Sequence, residues 1–432
     1  MNRVRSCVVV LLALVTPFSI AFAGGFQLNE VGARAMGMGG AFAAQGNDLS
    51  TMYFNPAGLA HQRGFGAYVG GTMILPSASY TNPAGTSTTD MVSQTFLTPN
   101  GYFGYGMENG LAFGLGVYVP FGLGTEWPAG WAGRYEALKA DLQTFMVNPT
   151  IAYRVNDMFM FGAGVTYTHM KAEISYNVAT YSVIAVPPTP APTDGLVALN
   201  ADGSSWSFDV GTIVMPTPEL SFGLSYRHTS ETDLEGDAAI TNMQALQPFF
   251  PGGTGKTKIT LPNQIWAGVA YKFSDALTVE FDYQWMGWST YDSLNIDLPV
   301  GPVAPFPPQL GGPRPLQGPT KSAKAWKNTY LLRLGGEYKY EAWRFRLGFV
   351  YDANPQPNQY VEPILPDANR TEGTIGIGYR FAGNWQIDVA YQLIIFEERT
   401  VTGPPPTGDK NEFPGTYKNG ANLFGLSIGY GL

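Results

Sequence analysis

The chain has 432 residues and a formal net charge of −8; 13% of its residues are charged and 14% are aromatic. An acidic chain without a run of basic residues is a poor candidate for nucleic-acid binding, so we expect no nucleic-acid partner. The single cysteine, Cys7, lies within the first 23 residues, so the rest of the chain offers no disulfide, thiolate metal site or cysteine nucleophile.

Residues 1–23 have the features of a secretory signal peptide. Two arginines near the start supply positive charge, and an apolar run, Val8 to Val15, precedes a small-x-small cleavage site that ends at Ala23. The apolar run is much shorter than the ~20 residues that a membrane-spanning helix needs, which disfavours an uncleaved anchor. We therefore expect the mature chain to begin at Gly24.

Residues 24–62 are rich in glycine, alanine and methionine, and they lack the alternation of apolar and polar residues that fills the later chain. We interpret them as a hatch, meaning a compact plug in the lumen of a barrel that residues 63–432 form. Gly25 and Phe26 lie at the start of this hatch. Asn55, Pro56 and Ala57 close it just before the first strand.

Fourteen strand-like segments follow the hatch. In one of the clearest, Trp385, Ile387 and Val389 alternate with Gln386 and Asp388. Successive side chains on a strand point to opposite faces, so such a segment has one face suited to lipid and one polar face. A soluble β-sandwich shows the same alternation, with its polar face in water.

The connections between the strands favour the membrane fold. Short turns alternate with long connections along the chain, and outer-membrane barrels combine short periplasmic turns with long outer loops in this way. The sequence therefore predicts an all-β fold, a fourteen-stranded antiparallel transmembrane β-barrel in the bacterial outer membrane, with both termini in the periplasm.

The long outer connections are of two kinds. Ala179 to Asp202 and Ser293 to Lys324 are rich in proline, which stiffens them without regular structure. Leu234 to Thr257 instead carries large apolar residues: Ile240, Met243, Leu246, Phe249 and Phe250. Apolar side chains on an outer loop either pack inward or bind something apolar, and the sequence leaves both interpretations open.

Pro120 interrupts the third predicted strand, just before Phe121 and Gly122. Proline lacks an N–H and cannot complete a ladder of hydrogen bonds, so it is confined to strand edges, ends or bulges. Two roles follow for Pro120: it ends the strand, or it opens a gap in the barrel wall.

Charged residues lie on the polar faces of several strands. The acidic ones are Glu280, Asp282 and Asp388, and the basic ones are Arg333, Arg344, Arg346 and Arg380. Opposite charges on neighbouring strands pair across a sheet. We interpret these residues as a structural ionic network that stiffens the barrel and anchors the hatch.

No sequence motif indicates catalysis or a cofactor. His61, His169 and His228 are far apart and have no metal-ligand spacing. Gly253 to Thr257 resembles the end of a phosphate-binding loop, but Phe250 stands where the pattern needs glycine. We therefore expect no catalytic residues, no metal and no cofactor.

Several stretches resemble the FadL family of outer-membrane long-chain fatty-acid transporters. They are Gly25–Glu30, Asn55–Ala57, Gly122–Trp127, Gly133–Glu136 and the final strand. The resemblance implies a fourteen-stranded barrel closed by a hatch. It also implies that outer loops capture a hydrophobic ligand, that a lumenal pocket holds it, and that it leaves sideways through a kink in the third strand. Pro120 falls at the position of that kink.

The resemblance also implies where ligands bind. The capture groove corresponds to Ala179–Asp202 and Leu234–Thr257. Family members hold the fatty-acid carboxylate with basic residues; Lys327 matches one of these positions and keeps its charge, whereas Tyr176 occupies the other. A charge-assisted hydrogen bond contributes about 1.5–3 kcal/mol, so its loss weakens the case for a carboxylate and leaves aromatic hydrocarbons open as cargo.

The expected function is passive import of hydrophobic small molecules, with long-chain fatty acids first and aromatic hydrocarbons as the alternative. The expected partners are this ligand and outer-membrane lipid, and the protein is expected to be a monomer. Two other classes of function stay open: an unselective water-filled porin, and a structural or adhesive barrel.

Overall fold

The computed structural model describes residues 24–46, 48–178, 194–243, 247, 250, 252–299, 318–381, 383–403 and 413–431, so the predicted signal peptide lies outside the described residues. The described residues form one closed antiparallel barrel of fourteen strands. The barrel closes because the first strand pairs with the last, with Ala67 opposite Tyr430 and Thr81 opposite Thr416. The predicted barrel is confirmed.

Several wall strands consist of two segments. In chain order the strands are β1 Gly64–Thr81, β2 Phe96–Gly106, β3 Leu111–Tyr118 and Gly122–Glu126, β4 Lys139–Arg154, β5 Phe159–Val178, β6 Gly195–Thr217, β7 Leu220–Arg227 and Ser230–Thr241, β8 Gly253–Leu261 and Gln264–Lys272, β9 Leu277–Met286 and Ser293–Leu298, β10 Gly318–Ala323 and Thr329–Tyr340, β11 Trp343–Asp352, β12 Arg370–Phe381, β13 Trp385–Phe396 and Arg399–Val401, and β14 Gly415–Tyr430. A short strand, Thr88–Asp90, pairs antiparallel with the end of β1, from Ser79 to Thr81. The helices given for the described residues are α1 Ala33–Gly37 and α2 Thr51–Phe54, together with the short 3-10 helices Pro56–His61, Trp288–Thr290 and Asn358–Tyr360.

The wall shows the alternation that the sequence predicted. In β11, Phe345, Leu347 and Phe349 are exposed on the outer surface, whereas Arg346 and Val350 are buried inside. The outer surface thus carries far more exposed apolar area than a water-soluble surface tolerates. Such a surface suits contact with lipid.

Several strands continue further than the sequence predicted. The predicted connection Leu234 to Thr257 is mostly strand, because β7 runs to Thr241 and β8 begins at Gly253. That prediction was wrong because the alternation is reversed beyond the lipid: charged residues such as Glu235 face outward, and apolar residues such as Leu234 and Ile240 are buried inside. Glu235 of β7 and Lys256 of β8 form an ion pair of 2.9 Å there. Strand residues also occupy parts of the predicted connections Ala179–Asp202 and Ser293–Lys324.

Residues 24–62, the N-terminal segment, lie inside the barrel, and nearly all of its described residues are buried. Helix α1 packs against β11, β12 and β13, and the 3-10 helix Pro56–His61 packs against β4, β5 and β6. The segment therefore crosses the lumen from one side of the wall to the other. Among the described residues, no helix is long and apolar enough to span a bilayer.

Part of the predicted ionic network links this segment to the wall. Arg34 of α1 donates to Glu337 of β10 at 3.0 and 2.8 Å. Arg346 of β11 donates to the same carboxylate at 2.8 Å and to Asp388 of β13 at 2.7 Å. Four charged groups are thus joined, and one of them belongs to the N-terminal segment.

Two predicted carboxylates bind the backbone of the segment instead. Asp282 accepts hydrogen bonds from the N–H groups of Phe42 and Ala43 at 2.8 and 3.0 Å, and Glu280 accepts one from Ala44 at 2.7 Å. A carboxylate that accepts backbone N–H groups satisfies buried donors that would otherwise be costly.

The other predicted basic residues lie elsewhere. Arg333 is opposite Asp282 in the ladder, but its guanidinium has no hydrogen-bond partner among the described residues. Arg344 donates to backbone carbonyls of the β10–β11 turn, and Arg380 donates to Gln386 at 2.9 Å.

Candidate functional site

The barrel wall has an opening between β2 and β3, which we call the window. The whole of β2, from Phe96 to Gly106, pairs with β1. On its other edge, β2 pairs with β3 only from Gly101 to Gly106. Beyond that point the second segment of β3 pairs with β4 alone. The window ends at the Gly101–Val117 pair on one side and at a 2.8 Å hydrogen bond from Val92 to the Glu126 carbonyl on the other.

The window coincides with the interruption of β3 at residues 119–121. On the edge that faces β4, the Thr144 hydroxyl replaces the backbone partners of Phe121. The Phe121 N–H donates to this hydroxyl at 3.2 Å, and the hydroxyl donates to the Phe121 carbonyl at 2.7 Å. On the β2 edge, Pro120 has no N–H to donate. The interruption therefore leaves β3 joined to β4 and separated from β2.

The N-terminal segment takes the place of β2 along this part of β3. The Leu28 N–H donates to the Pro120 carbonyl at 2.8 Å, and the Gly122 N–H donates to the Phe26 carbonyl at 3.0 Å. Gln27 and Phe121 form the antiparallel bridge between these two bonds. The start of the N-terminal segment and the predicted lateral gate are thus in direct contact.

Aromatic packing strengthens this contact. The ring of Phe26 lies 6.1 Å from that of Phe121, 4.7 Å from Trp288 and 5.8 Å from Tyr291, each in an edge-to-face arrangement. Both phenylalanines are buried. Edge-to-face aromatic pairs contribute about 0.5–1.5 kcal/mol beyond burial, so Phe26 is a strong local anchor.

The start of the segment is also fixed by polar contacts. The Gly25 N–H donates to Asp367 at 3.0 Å, its carbonyl accepts from Arg370, and the Gly24 carbonyl accepts from Trp288 at 3.1 Å. These bonds hold Gly25 against the residues at and before the start of β12, and Gly24 against the 3-10 helix Trp288–Thr290 between the two segments of β9.

A cavity of about 600 Å³ lies beside the window. Its lining includes lumenal apolar side chains such as Phe26, Ile394 and Leu423, together with Leu97 and Phe145, which are exposed on the lipid-facing surface. The cavity therefore runs from the lumen to the outside of the wall. Its volume is in the range of small-molecule sites.

Polar groups line the lumenal end of this cavity. They are Glu30 of the N-terminal segment and Asp367, Arg370 and Glu372 at and before the start of β12. Sequence reasoning assigned none of these residues to the site. Arg370, Glu372 and Thr374 alternate along β12 and face inward. This alternation was the sequence signal that could have placed them in the lumen.

Asn55, Pro56 and Ala57 lie against the wall at the far side of the lumen. Asn55 Oδ1 accepts from the Ala57 N–H at 3.1 Å, and its Nδ2 donates to the Ala43 carbonyl at 2.8 Å and the Thr212 carbonyl at 3.0 Å. Gly162 and Gly211, which pair across β5 and β6, leave the space for this approach, because a Cβ at either would clash with these residues.

Lys327 and Tyr176 are not brought together. Lys327 is exposed and lines a second, polar cavity of about 560 Å³ with Asn354, Gln356 and Arg399. Tyr176 is half-buried on β5 and packs against the main apolar core. Neither is among the described residues that line the first cavity.

Three of the predicted capture residues point inward. Ile240, Met243 and Phe250 are buried in the main apolar core, and Ile240 belongs to β7 and not to a loop. Gln247 fixes this turn by donating to the carbonyls of Ile240 and Phe250 at 2.7 and 3.2 Å. Leu246 and Phe249, like most of the predicted connection 179–202 up to residue 193, lie outside the described residues.

The three histidines are well separated. His61 is in the 3-10 helix Pro56–His61, His169 is on β5, and His228 stacks on Phe208 at 4.9 Å on the outer surface. Over the described ranges, no three His, Cys, Asp or Glu side chains are arranged to hold a metal ion.

Known proteins match this chain along nearly its whole length. The family model described as outer membrane protein transport protein (OMPP1/FadL/TodX) matches residues 13–431. A putative outer membrane protein of Neisseria meningitidis serogroup B is 27% identical, covering 97% of both chains. The long-chain fatty acid transport protein of Salmonella typhi is 25% identical over 89% of this chain and 90% of its own.

Solved structures share the fold. A Pseudomonas aeruginosa FadL homologue has a TM-score of 0.79 at 21% identity, covering 94% of this chain and 99% of its own. The Ralstonia pickettii toluene transporter TbuX has a TM-score of 0.68 at 19% identity, with 93% and 99% covered. The predicted resemblance is confirmed: the chain is a multi-pass outer-membrane β-barrel and belongs to the OMPP1/FadL/TodX family of outer-membrane transport proteins.

Proposed function

We propose that the protein imports hydrophobic small molecules passively, by binding them in the lumenal cavity and releasing them sideways through the window. The observation that carries this proposal is the cavity itself, whose lining joins buried lumenal residues to the lipid-facing Leu97 and Phe145. An apolar molecule in this cavity already touches the surface that faces lipid. Net import needs no energy source, because the molecule moves from the aqueous exterior of the cell into the apolar interior of the membrane.

We further propose that the N-terminal segment acts as the hatch and that its first residues control the window. Two backbone hydrogen bonds, between Phe26 and Gly122 and between Leu28 and Pro120, connect it to the interrupted strand. A shift of these few residues would widen the path without removing the remainder of the segment. Arg34, Asp282 and Asn55 hold that remainder elsewhere.

The cargo classes are those named for its relatives, long-chain fatty acids and toluene. A water-filled porin fits less well, because the N-terminal segment crosses the lumen and is buried against the wall on both sides. In a porin, deletion of residues 24–61 would leave solute conductance unchanged; for a hatch we expect it to rise.

Cross-linking the window tests lateral exit. With the signal peptide removed, the predicted mature chain has no cysteine, so Pro99→Cys with Val119→Cys places the only two thiols on opposite edges of the window. A short bismaleimide should then block uptake of radiolabelled decanol by whole cells, while each single variant treated alike keeps its uptake. Full uptake through a cross-linked pair, verified by mass spectrometry, would contradict lateral exit.

A further inference from the structure

The second cavity, of about 560 Å³, lies at the outer ends of β10 to β13. Ten of its thirteen lining residues carry polar side chains, and five of these are amides: Asn354, Gln356, Asn358, Gln359 and Asn369. Its volume is in the range of small-molecule sites. An apolar ligand would leave these polar groups without hydrogen bonds, so the lining favours a hydrophilic ligand and not the hydrophobic cargo.

Arg399 fixes the floor of this cavity. Its Nε donates to Asn358 Oδ1 at 2.8 Å, and its two terminal nitrogens donate to the carbonyls of Gln356 and Asp367. The Asn354 side chain binds the Gln356 backbone twice: Oδ1 accepts from its N–H at 2.7 Å, and Nδ2 donates to its carbonyl at 3.2 Å. Because these groups are already held in place, a ligand that binds here orders few side chains.

The rim of the cavity keeps hydrogen-bonding capacity that the described part of the protein does not use. Lys327 is exposed and forms no ion pair with a described acid, and the exposed Gln359 side chain has no hydrogen-bond partner within the described ranges. Glu397 accepts from Asn369 through one carboxylate oxygen, which leaves its other oxygen available. The rim thus combines donors and acceptors, and a hydroxyl group, which both donates and accepts, matches both.

Charges of both signs line the cavity. Lys327 and Arg399 are cationic, whereas Glu397 and Glu398 are anionic. A ligand with a net charge of either sign would therefore meet a like charge, which is unfavourable at close range. An uncharged ligand with several hydroxyl groups avoids this cost and still uses the donors and acceptors. A saccharide has this chemistry.

The cavity adjoins the outward surface of the wall at the height where its apolar band ends. Along β13, the outward residues Leu393 and Ile395 are apolar and exposed, and the next residue in this alternation is the exposed Glu397. Its partner Asn369 comes two residues before Thr371, which is outward and exposed on β12. Lipid chains contact the apolar band of such a wall, so the cavity lies level with the polar head groups of the outer leaflet.

We propose that this second cavity binds an uncharged sugar unit, and that its ligand is the sugar head group of a glycolipid in the outer leaflet. The inference goes beyond the import of hydrophobic molecules, because it concerns a separate cavity with a different class of ligand. The amides and the rim bind the hydroxyl groups, and the acyl chains of the same glycolipid lie against the apolar band below. A free saccharide offers the same hydroxyl groups but lacks the acyl chains.

Two other roles make different predictions. A depression that holds only water retains no sugar in either form. A carboxylate site at Lys327, which the family resemblance implies, retains decanoate and not an uncharged sugar. The identity of the retained molecule therefore separates the three explanations.

The test presents the same sugar in two forms to the protein in phosphatidylcholine nanodiscs. Monogalactosyl diacylglycerol is mixed into the nanodisc lipid, and native mass spectrometry measures how much of each lipid stays with the ejected protein. Methyl β-galactoside is added to the solution, and saturation-transfer NMR reports its contact with the protein. We expect the glycolipid to be enriched about tenfold over phosphatidylcholine, relative to their ratio in the nanodisc, since two net hydrogen bonds give a factor of this order.

Variants then assign the enrichment to the cavity. In Lys327→Met with Gln359→Ala, which changes two exposed rim residues, the enrichment should fall towards one, whereas Lys256→Met, at an exposed strand end outside the cavity, should keep it. Enrichment that persists in the double variant overturns the assignment. Contact with methyl β-galactoside without glycolipid enrichment overturns the glycolipid as the ligand. Absence of both signals, or retention of decanoate in place of the sugars, overturns the sugar site.

Discussion

Replacing Arg34 with alanine tests how firmly the N-terminal segment is held in the lumen. Arg34 is 2% exposed, and its guanidinium donates two hydrogen bonds to Glu337, at 3.0 and 2.8 Å. Removing one partner of a buried ion pair leaves an uncompensated charge, which costs about 3–5 kcal/mol. Because Glu337 keeps its hydrogen bond from Arg346, we expect the lower end of this range, about 3 kcal/mol.

The loss should appear as local opening of the segment and not as unfolding of the barrel. Hydrogen exchange measured in nanodiscs should speed up by about two orders of magnitude for the amides of residues 33–46, because each 1.4 kcal/mol of lost stability is roughly a factor of ten. Lys256→Ala, which removes an exposed ion pair with Glu235, should leave this exchange unchanged. Slow exchange in Arg34→Ala with an intact barrel would refute the anchoring role.

Two further outcomes are expected. Pro120→Val restores an N–H on the edge of β3 that faces β2, so uptake of decanol should slow while binding at the outer surface is retained; undiminished uptake would argue against the window. Gly211→Ala places a methyl group against Asn55. Hydrogen exchange of residues 55–61 should then show that their local stability falls by about 1–3 kcal/mol. The control Gly373→Ala, where the space is open, should leave this exchange unchanged.

The barrel could be predicted from the sequence because lipid imposes a period of two on every strand that it touches. In β13, Trp385, Ile387 and Val389 face outward and Asp388 faces inward, as their alternation predicts. The same rule fails where a strand leaves the lipid. Glu235 and Lys256 stand on regular strands, but there the outward residues are charged and the apolar ones, such as Leu234, are buried inside, which reverses the lipid-facing pattern.

The site was less predictable, because it depends on residues that are distant in sequence. Gln392 and Glu30 are 362 positions apart, and no local pattern indicates that they are hydrogen-bonded. The path of the N-terminal segment was equally hidden, since a segment without periodicity carries no signal for which side chains it meets. Lys327 and Tyr176 were chosen by resemblance of short stretches, and they lie in different surroundings.

The window and the start of the N-terminal segment depend on each other through the same backbone groups. In an antiparallel strand, the carbonyl of residue 120 and the N–H of residue 122 point to the same edge, and in a closed wall they would bond β2. Here Leu28 and Phe26 bond them instead. Pro120 lacks the N–H that a complete ladder with β2 would need at this position. The N-terminal segment therefore competes with β2 for these backbone groups where β2 could form only an incomplete ladder. On the proposed mechanism, a ligand that displaces Phe26 and Leu28 leaves these two groups without partners and the window open, so the gap does not simply close behind the N-terminal segment.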